Sequence, residues 1–267
     1  MLTNYHTHTN FCDGNNAPEE VVQAAIDMGF DAIGFSGHGY TDYDLRYCMK
    51  NTAEYLIQIN SLKEKYKNKI EVYAGVEEDS YRYVNRSDFD YILGSSHYLV
   101  KDNQYLPIDS DYDGFKECVK AFDGDILALA ESYYSNFAEY ITKRKPDIVG
   151  HFDLITKYDE LDGEMRFLNN EAYLEIACKY MSEALKNDVI FEVNTGAISR
   201  GYRKSPYPHE RLLHLIKKEG GKVILSADSH DVTTLCAYFD DAKQILKDAG
   251  FSYVYVLYDG TFKKDYI

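Results

Sequence analysis

Short apolar segments recur along the chain and alternate with longer amphipathic stretches. The short segments are rich in Val, Ile, Phe and Tyr, a composition typical of buried β-strands. We predict strands over residues 2–5, 31–35, 70–74, 91–93, 148–149, 189–193, 222–225 and 253–257.

The stretches between these strands carry apolar residues at the spacing of one helix face. We predict helices over residues 18–28, 52–66, 169–186, 208–218 and 238–248. Pro18 suits a first helical turn, and Gly29, Gly220 and Gly250 suit the positions where three of these helices end. Residues 102–145 are less regular and predict a loop combined with two helices.

The alternation of strands and helices predicts an α/β protein with a parallel sheet. About seven such units in a chain of 267 residues favour a TIM-barrel-like closed sheet over an open doubly wound sheet. We find no linker, low-complexity tract or internal repeat in the sequence. Residues 1–267 are therefore expected to form a single domain.

The charge and hydropathy of the chain argue against two classes of binding partner. The formal net charge is −15, so a general nucleic-acid binder, which holds phosphates through clustered Lys and Arg, is not expected. No apolar run is long enough to cross a bilayer, so no membrane partner is expected. The five cysteines are scattered and no signal peptide is evident, which favours a cytoplasmic protein. The oligomeric state is left open.

Histidines and carboxylates follow the predicted strands at the points where those strands end. This applies to six of the eight histidines. In a parallel barrel all the strand ends open onto one face, so these side chains are expected to converge on one cleft. The predicted set is His6, His8, Asp13, His38, Glu77, His97, His151, Asp228 and His230.

Imidazole and carboxylate ligands together suit Zn, Mn or Fe. Nine such ligands exceed the four to six positions of one ion, so we predict two or three divalent ions. A single buried histidine is more often a hydrogen-bonded structural residue than a ligand. The joint pattern, with so many groups at strand ends, favours the metal interpretation.

Several other residues have side chains that could bind a metal ion. Glu77 and Glu78 compete for one role, because adjacent strand residues point in opposite directions and only one can face the cleft. Cys12 is expected to support the site without being a ligand. His209 and His214 lie on a predicted helix without metal-like spacing and are interpreted as surface or packing residues.

Several fragments, in this order, resemble the motifs of the PHP (polymerase and histidinol phosphatase) family across nearly the whole chain. They are His6-Thr7-His8-Thr9, Phe11-Cys12-Asp13-Gly14, Gly37-His38, Gly75-Val76-Glu77, Ser96-His97, Gly150-His151-Phe152-Asp153 and Ser226-Ala227-Asp228-Ser229-His230. The resemblance implies a distorted (β/α)7 barrel with a trinuclear metal site. It selects Glu77 over Glu78, because the family glutamate stands in a G-x-E pattern.

The resemblance also implies how the ligands are shared among three metals. One would be held by His6, His8, Glu77 and Asp228, a second by Glu77, His97 and His151, and a third by Asp13, His38 and His230. Glu77 would then bridge two cations.

The segment Glu192-Val193-Asn194-Thr195-Gly196, with Arg200 beyond it, resembles the histidinol-phosphatase branch of the family. The expected reaction is metal-dependent hydrolysis of a phosphomonoester, with histidinol phosphate as the expected substrate. Water attacks phosphorus in line without a covalent enzyme intermediate.

A protein cation is expected to hold the remaining phosphate oxygens. Arg200 is the first choice, because its planar fork fits phosphate, and Lys157 and Arg203 are further choices. Asp228 or a metal-bound water is the expected proton donor to the leaving group. The alternatives are a PHP phosphoesterase acting on nucleotides, oligonucleotides or phosphotyrosine proteins, and a metal-binding protein without turnover.

Overall fold

The computed structural model of the chain describes residues 1–161 and 167–267. Strands occur where apolar runs were predicted, and three further strands complete the set. Within the described residues the strands are β1 (Thr3–Asn4), β2 (Ala32–Phe35), β3 (Glu71–Asp79), β4 (Tyr91–Ser95), β5 (Tyr98–Lys101), β6 (Gln104–Pro107), β7 (Ile148–Val149), β8 (Ile190–Asn194), β9 (Lys222–Ser226), β10 (Tyr253–Tyr258) and β11 (Thr261–Tyr266).

The helices lie between the strands as the βα alternation predicts. Within the described ranges they are α1 (Pro18–Asp27), α2 (Thr52–Tyr66), α3 (Tyr112–Ala121), α4 (Ile126–Arg144), α5 (Glu171–Ala184), α6 (Gly196–Ser199), α7 (Glu210–Lys218) and α8 (Phe239–Asp248). Gly29, Gly220 and Gly250 have φ of +80°, +75° and +91°, the left-handed conformation that ends α1, α7 and α8. Among the described residues, no helix is both long and apolar enough to span a membrane.

One curled sheet of nine strands carries the fold within the described residues, in the order β1-β2-β3-β4-β7-β8-β9-β10-β11. The pairs from β1 to β10 are parallel, with Thr3 opposite Ala32 and Leu93 opposite Ile148, for example. Only β10 and β11 pair in antiparallel fashion in the described part of this sheet. Parallel order places the carboxyl ends of β1, β2, β3, β4, β7, β8 and β9 at one rim.

The sheet curls so far that the segments that follow β1 and β9 come together at this rim. The His8 N–H donates to the Ser229 carbonyl over 2.8 Å, and the Ser229 N–H donates to the His6 carbonyl over 3.0 Å. The Tyr5 hydroxyl also donates to the Leu257 carbonyl of β10 over 2.6 Å. The prediction of a distorted, TIM-barrel-like α/β fold is confirmed, with the β10–β11 hairpin as an addition.

Two hairpins were not among the predicted elements. Asp102 and Asn103 have φ of +51° and +60° and connect β5 to β6, and Asp259 and Gly260 have φ of +53° and +69° and connect β10 to β11. Two consecutive residues with positive φ form the tight turn that matches the twist of paired strands. The predicted loop in 102–145 is thus partly a hairpin, whereas the two helices predicted there are present.

Three tyrosines fill the barrel below the rim. The Tyr5 ring lies 6.3 Å from that of Tyr73 and 6.1 Å from that of Tyr91, and all three are buried. The Tyr91 hydroxyl donates to the Tyr5 carbonyl over 2.6 Å. Gly34 and Gly75 leave the space for this ring, since a Cβ on Gly75 would lie 2.3 Å from Tyr91 Cζ. The interior therefore depends on large and small residues in neighbouring strands.

We expect Gly75→Ala to lower the free energy of unfolding by about 1–3 kcal/mol, because overpacking at Tyr91 forces the ring or the strand to move. The measurement is chemical denaturation of the wild type, Gly75→Ala, Tyr91→Leu and the double variant. The smaller leucine should absorb part of the clash, so the double variant should lose less stability than the sum of the two single losses. Additive losses would contradict the packing described here.

Candidate metal centre

All nine side chains predicted as ligands lie at the carboxyl rim of the barrel. His6 and His8 follow β1, His38 follows β2, Glu77 lies in β3, His97 follows β4, His151 follows β7, and Asp228 and His230 follow β9, while Asp13 lies in the turn after His8. A cavity of about 230 Å³ opens above them. The structure thus brings together residues that are up to 224 positions apart in the sequence, as the strand-end argument predicts.

A tight turn brings Asp13 back to the rim. The N–H groups of Cys12 and Gly14 both donate to the Thr9 carbonyl over 3.0 Å. A Cβ on Gly14 would lie 2.5 Å from the carbonyl carbon of His8, so only glycine allows the turn to approach so closely. The Asp13 carboxylate consequently lies 3.5 Å from His8 Nδ1.

Glu77 lies at the centre of the site, and its two oxygens face different histidines. Oε1 lies 3.0 Å from His151 Nε2 and 3.2 Å from His97 Nε2. Oε2 lies 3.0 Å from His38 Nδ1 and 3.2 Å from His6 Nε2. A carboxylate with imidazoles on both oxygens can bridge two cations.

Asp228 forms a second point of convergence. Its Oδ1 lies 3.2 Å from His8 Nε2, 3.5 Å from His6 Nε2 and 3.6 Å from His230 Nδ1. Its Oδ2 accepts a hydrogen bond of 2.8 Å from Arg200 Nη2. Asp228 has φ of +48°, a strained conformation that is common at functional sites.

The third point of convergence is Asp13. Its Oδ2 lies 3.4 Å from His230 Nε2 and 3.7 Å from His38 Nε2. Within the described residues, four overlapping groups have ligand atoms within 4.8 Å of one another. They are His8-Asp13-His38-His230, His6-Glu77-His151, His6-His8-Asp228 and His38-Glu77-His97.

The donor atoms fit metal ions. His6 Nε2, His8 Nε2, Asp13 Oδ1 and Glu77 Oε2 are buried and have no hydrogen-bond partner within the described residues. A buried polar atom without a partner is costly, and these atoms converge on the same site, where a cation would satisfy them. Imidazole nitrogen and carboxylate oxygen are the donors that Zn, Mn and Fe accept. The set suits several divalent ions.

The electrostatics of the site keep two of its donors, Glu77 and His8, available for metal. Burial would raise the pKa of Glu77, but His6, His97 and His38 hold it well below its usual range. Burial, with His230 and His38 close by, lowers the pKa of His8 to about 3. At neutral pH Glu77 is therefore a carboxylate and His8 a neutral imidazole, the forms that bind metal.

Carboxylates outside this set hold the histidines in place. Glu192 Oε1 lies 2.7 Å from His6 Nδ1, while its Oε2 accepts from the His151 N–H over 2.8 Å and from Asn194 Nδ2 over 2.9 Å. Because Nδ1 of His6 is engaged, Nε2 is the nitrogen directed at Glu77. Glu192 was not among the predicted ligands. An acidic residue in an otherwise apolar strand is the feature of the sequence that could have indicated that Glu192 supports the metal ligands.

Asp79 holds His97, which follows β4, in the same way as Glu192 holds His6 and His151. Its Oδ2 accepts from the His97 N–H over 3.0 Å, and its Oδ1 accepts from the Tyr43 hydroxyl over 2.6 Å. This residue was missing from the predicted site, because it follows Glu77 and Glu78 in an acidic run that does not by itself show which side chains point inward.

Glu78 points away from the cavity. Its oxygens accept two hydrogen bonds of 2.7 Å from the fork of Arg144 and one of 2.8 Å from the Tyr140 hydroxyl. The choice of Glu77 over Glu78 therefore agrees with the geometry. Cys12 Sγ lies 3.5 Å from His8 Nδ1, and burial beside Asp13 raises its pKa to about 12, so it is a thiol that supports His8.

The two remaining histidines lie outside the cavity lining. His209 Nδ1 accepts from the Arg211 N–H over 3.2 Å and caps α7. His214 is exposed, with Nε2 3.4 Å from Glu210. Both positions agree with the interpretation as surface or packing residues.

The three predicted phosphate-binding cations have different locations. Arg200 and Lys157 line the cavity. Arg203 does not: it is buried, donates to Thr156 Oγ1 over 2.8 Å and lies 3.7 Å from an Asp153 oxygen. The prediction of Arg203 as a phosphate ligand is corrected accordingly, because sequence position alone did not show that its guanidinium is directed into the protein.

A parallel α/β barrel that gathers imidazoles and carboxylates at its strand ends defines the class of multinuclear metal-dependent enzymes. The family follows from comparison with known proteins. A family model described as PHP domain matches residues 4–196, and the chain belongs to this family. Asp228 and His230 lie beyond the matched segment, and the fold brings them to the same site.

Relatives cover almost the whole chain. A Schizosaccharomyces pombe protein named probable histidinol-phosphatase is 27% identical over 94% of this chain and 87% of its own length. The histidinol-phosphatase of Bacillus subtilis is 24% identical over 84% of this chain and 92% of its own. The crystal structure of histidinol phosphate phosphatase from Lactococcus lactis, complexed with Zn, L-histidinol and phosphate, matches with a TM-score of 0.71 and 20% identity, covering 98% of this chain and 99% of that one.

We expect Glu192→Gln to weaken metal binding by about 10- to 100-fold, because the amide nitrogen cannot accept a hydrogen bond as the carboxylate does. The measurement is competition for Zn with a chromophoric chelator, together with the metal content after dialysis. Glu183→Gln, which makes the same change on an exposed face of α5, is the control. Equal affinity in the two variants would contradict the supporting role of Glu192.

Proposed function

We propose that this protein is a metal-dependent phosphomonoesterase that hydrolyses L-histidinol phosphate to L-histidinol and phosphate. The observation that carries the proposal is the cluster of nine imidazole and carboxylate side chains at one barrel rim, with buried donor atoms that have no hydrogen-bond partner among the described residues. The substrate is supported by the relatives, which are named histidinol-phosphatases and align over nearly the whole chain.

The ligand sharing that we propose is the one that the resemblance to the family implies. We assign His6, His8, Glu77 and Asp228 to one metal, Glu77, His97 and His151 to a second, and Asp13, His38 and His230 to a third. When bound, divalent cations such as Zn, Mn or Fe supply Lewis acidity and offset the charge of a phosphate dianion. Glu77 suits the bridging position because its Oε1 faces His97 and His151 whereas its Oε2 faces His6 and His38.

Arg200 and Lys157 are the protein cations for the phosphate. Arg200 is held in place by hydrogen bonds of 2.8 Å to the carbonyl and to Oδ2 of Asp228, and it lines the cavity. Its guanidinium carries further N–H donors that a phosphate oxygen can accept. Lys157 Nζ donates to the Asp109 carbonyl over 2.6 Å, and this residue also lines the cavity.

Asp228 is held as a carboxylate. Burial would raise its pKa, but Arg200 and His6 hold it well below its usual range. Its oxygens therefore accept hydrogen bonds and orient the attacking water. Asp228 and a metal-bound water were both expected as proton donors to the leaving group, and the low pKa of Asp228 argues for a donor other than this carboxyl.

The shape of the cavity suits a small substrate. Its volume of about 230 Å³ is enclosed by Tyr47, Tyr98 and Tyr202 together with Leu154. Aromatic and aliphatic walls can contact the imidazole ring of histidinol. The net charge of −15 disfavours nucleic acids as partners. We also propose a cytoplasmic location, which the five free cysteines support.

We expect purified protein to release phosphate from L-histidinol phosphate far faster than from a nucleoside monophosphate or an aryl phosphate. A chelator should abolish the activity, and Mn or Zn should restore it, because the buried donors bind divalent ions. The measurements are phosphate release and metal content on the same sample. Turnover confined to nucleotides or aryl phosphates would refute the substrate, and an absence of both metal and hydrolysis would refute the whole proposal.

We expect Arg200→Gln to lower kcat/KM for histidinol phosphate by about 10- to 100-fold, since a hydrogen bond to a charged group is lost. Steady-state kinetics measures this effect, and metal content is determined in parallel because Arg200 also contacts Asp228. Arg82→Gln, an arginine outside the cavity lining, serves as the control. Wild-type kinetics in a fully metal-loaded Arg200→Gln protein would exclude Arg200 from phosphate binding.

A further inference from the structure

Among the residues that the structure describes, three carboxylates outside the nine predicted ligands line the cavity: Asp44, Asp79 and Asp109. Two of them are already engaged. Asp79 accepts from the His97 N–H and the Tyr43 hydroxyl. Asp44 Oδ2 accepts from Arg46 Nη2 over 2.7 Å and from the Tyr98 hydroxyl over 2.9 Å. These hydrogen bonds stabilise the loops around the rim.

Asp109 differs from these two. Its side chain is 23% exposed, its Oδ2 lies 3.4 Å from Lys157 Nζ, and within the described ranges its Oδ1 accepts no hydrogen bond. Asp109 therefore lines the cavity with one carboxylate oxygen paired with Lys157 and the other available to a ligand. A carboxylate in such a position repels a phosphate dianion and attracts a cation.

The backbone holds Asp109 firmly. Its carbonyl accepts hydrogen bonds from Lys157 Nζ over 2.6 Å and from the Tyr158 hydroxyl over 2.7 Å. The preceding residue, Ile108, donates its N–H to the His97 carbonyl over 2.9 Å. Asp109 is thus positioned relative to the metal-binding residues by main-chain contacts that a change of its side chain would leave intact.

Aromatic side chains complete this part of the cavity. Tyr47, Tyr98 and Tyr202 line it together with Asp109. The faces of tyrosine rings attract cations, and a carboxylate beside such rings forms a favourable site for a protonated amine. The rim with the histidines and Arg200 binds anions when it holds metal, so the two parts of the cavity have opposite preferences.

We propose that Asp109 determines substrate specificity by binding the protonated amino group of the substrate. The protein then selects phosphate esters of amino alcohols, in which ammonium and phosphate are close neighbours, over esters of uncharged alcohols. This inference rests on the proposed phosphatase function and adds to it the part of the substrate that is recognised.

A simpler role for Asp109 is to hold Lys157. That role predicts a loss of activity with every phosphomonoester, because Lys157 would contact the phosphate common to all of them. Recognition of the amine predicts a loss only with substrates that carry the amine. The two roles are separated by comparing substrates.

The experiment compares the wild type and Asp109→Asn with histidinol phosphate, with its analogue lacking the amino group, and with 4-nitrophenyl phosphate. We expect Asp109→Asn to reduce kcat/KM for histidinol phosphate by about 10- to 100-fold, mainly through KM, since an ion-paired hydrogen bond is lost. The kcat/KM values for the two substrates without the amine should stay within about 2-fold of the wild type. Metal content should be unchanged.

Asp113→Asn makes the same change of charge at an exposed position on α3 and should leave the selectivity for the amine intact. An equal loss by Asp109→Asn with all three substrates would overturn the proposal in favour of a role in holding Lys157 or metal. Equal use of histidinol phosphate and its analogue by the wild type would overturn it while leaving the phosphatase function standing. A wild type that hydrolyses none of them would overturn both.

Discussion

The arrangement of the whole rim depends on one buried carboxylate, Glu77, with imidazoles on both of its oxygens. Removing a carboxylate from water costs several kcal/mol or more unless its charge is compensated. Histidines on four other segments compensate the charge of Glu77. The strands that precede these histidines must therefore end at the same level of the barrel. The barrel meets this requirement because parallel order places the carboxyl ends at one rim. The contacts of Glu192 with His6 Nδ1 and of Asp79 with His97 Nδ1 then fix which ring nitrogen these two histidines present.

The hydrophobic pattern predicted much of the fold because most strands are buried on both faces. Even the two-residue strand β7 could be predicted, since Ile148 and Val149 stand between a proline-containing turn and Gly150. The hairpin of β5 and β6 was missed because its strands are four residues long and partly exposed, so they lack an extended apolar run. Strand β11 was missed because Lys263, Lys264 and Asp265 interrupt its apolar residues.

The ligand set could be predicted because it depends on topology: a residue just after a parallel strand must reach the rim. Charged residues in long connections obey no such rule. Arg200 and Arg203 are three residues apart in one connection, yet one lines the cavity and the other is buried against Thr156 and Asp153. Asp109 follows the hairpin that was missed, so its direction was not accessible from the sequence. How deeply a loop side chain is buried, and in which direction it points, depends on tertiary packing, which the hydrophobic periodicity of the sequence does not encode.

The contact between the first strand and the segment after β9 determines when the centre can come into being. His6 and His8 are synthesised more than two hundred residues before Ser229, which bonds to both of their backbones, and before the adjacent Asp228 and His230. A nascent chain therefore carries an incomplete ligand set until this later segment has been synthesised. Metal loading in this sense follows the synthesis of that segment, and a chain terminated before Asp228 lacks the residues that close both the barrel and its metal site.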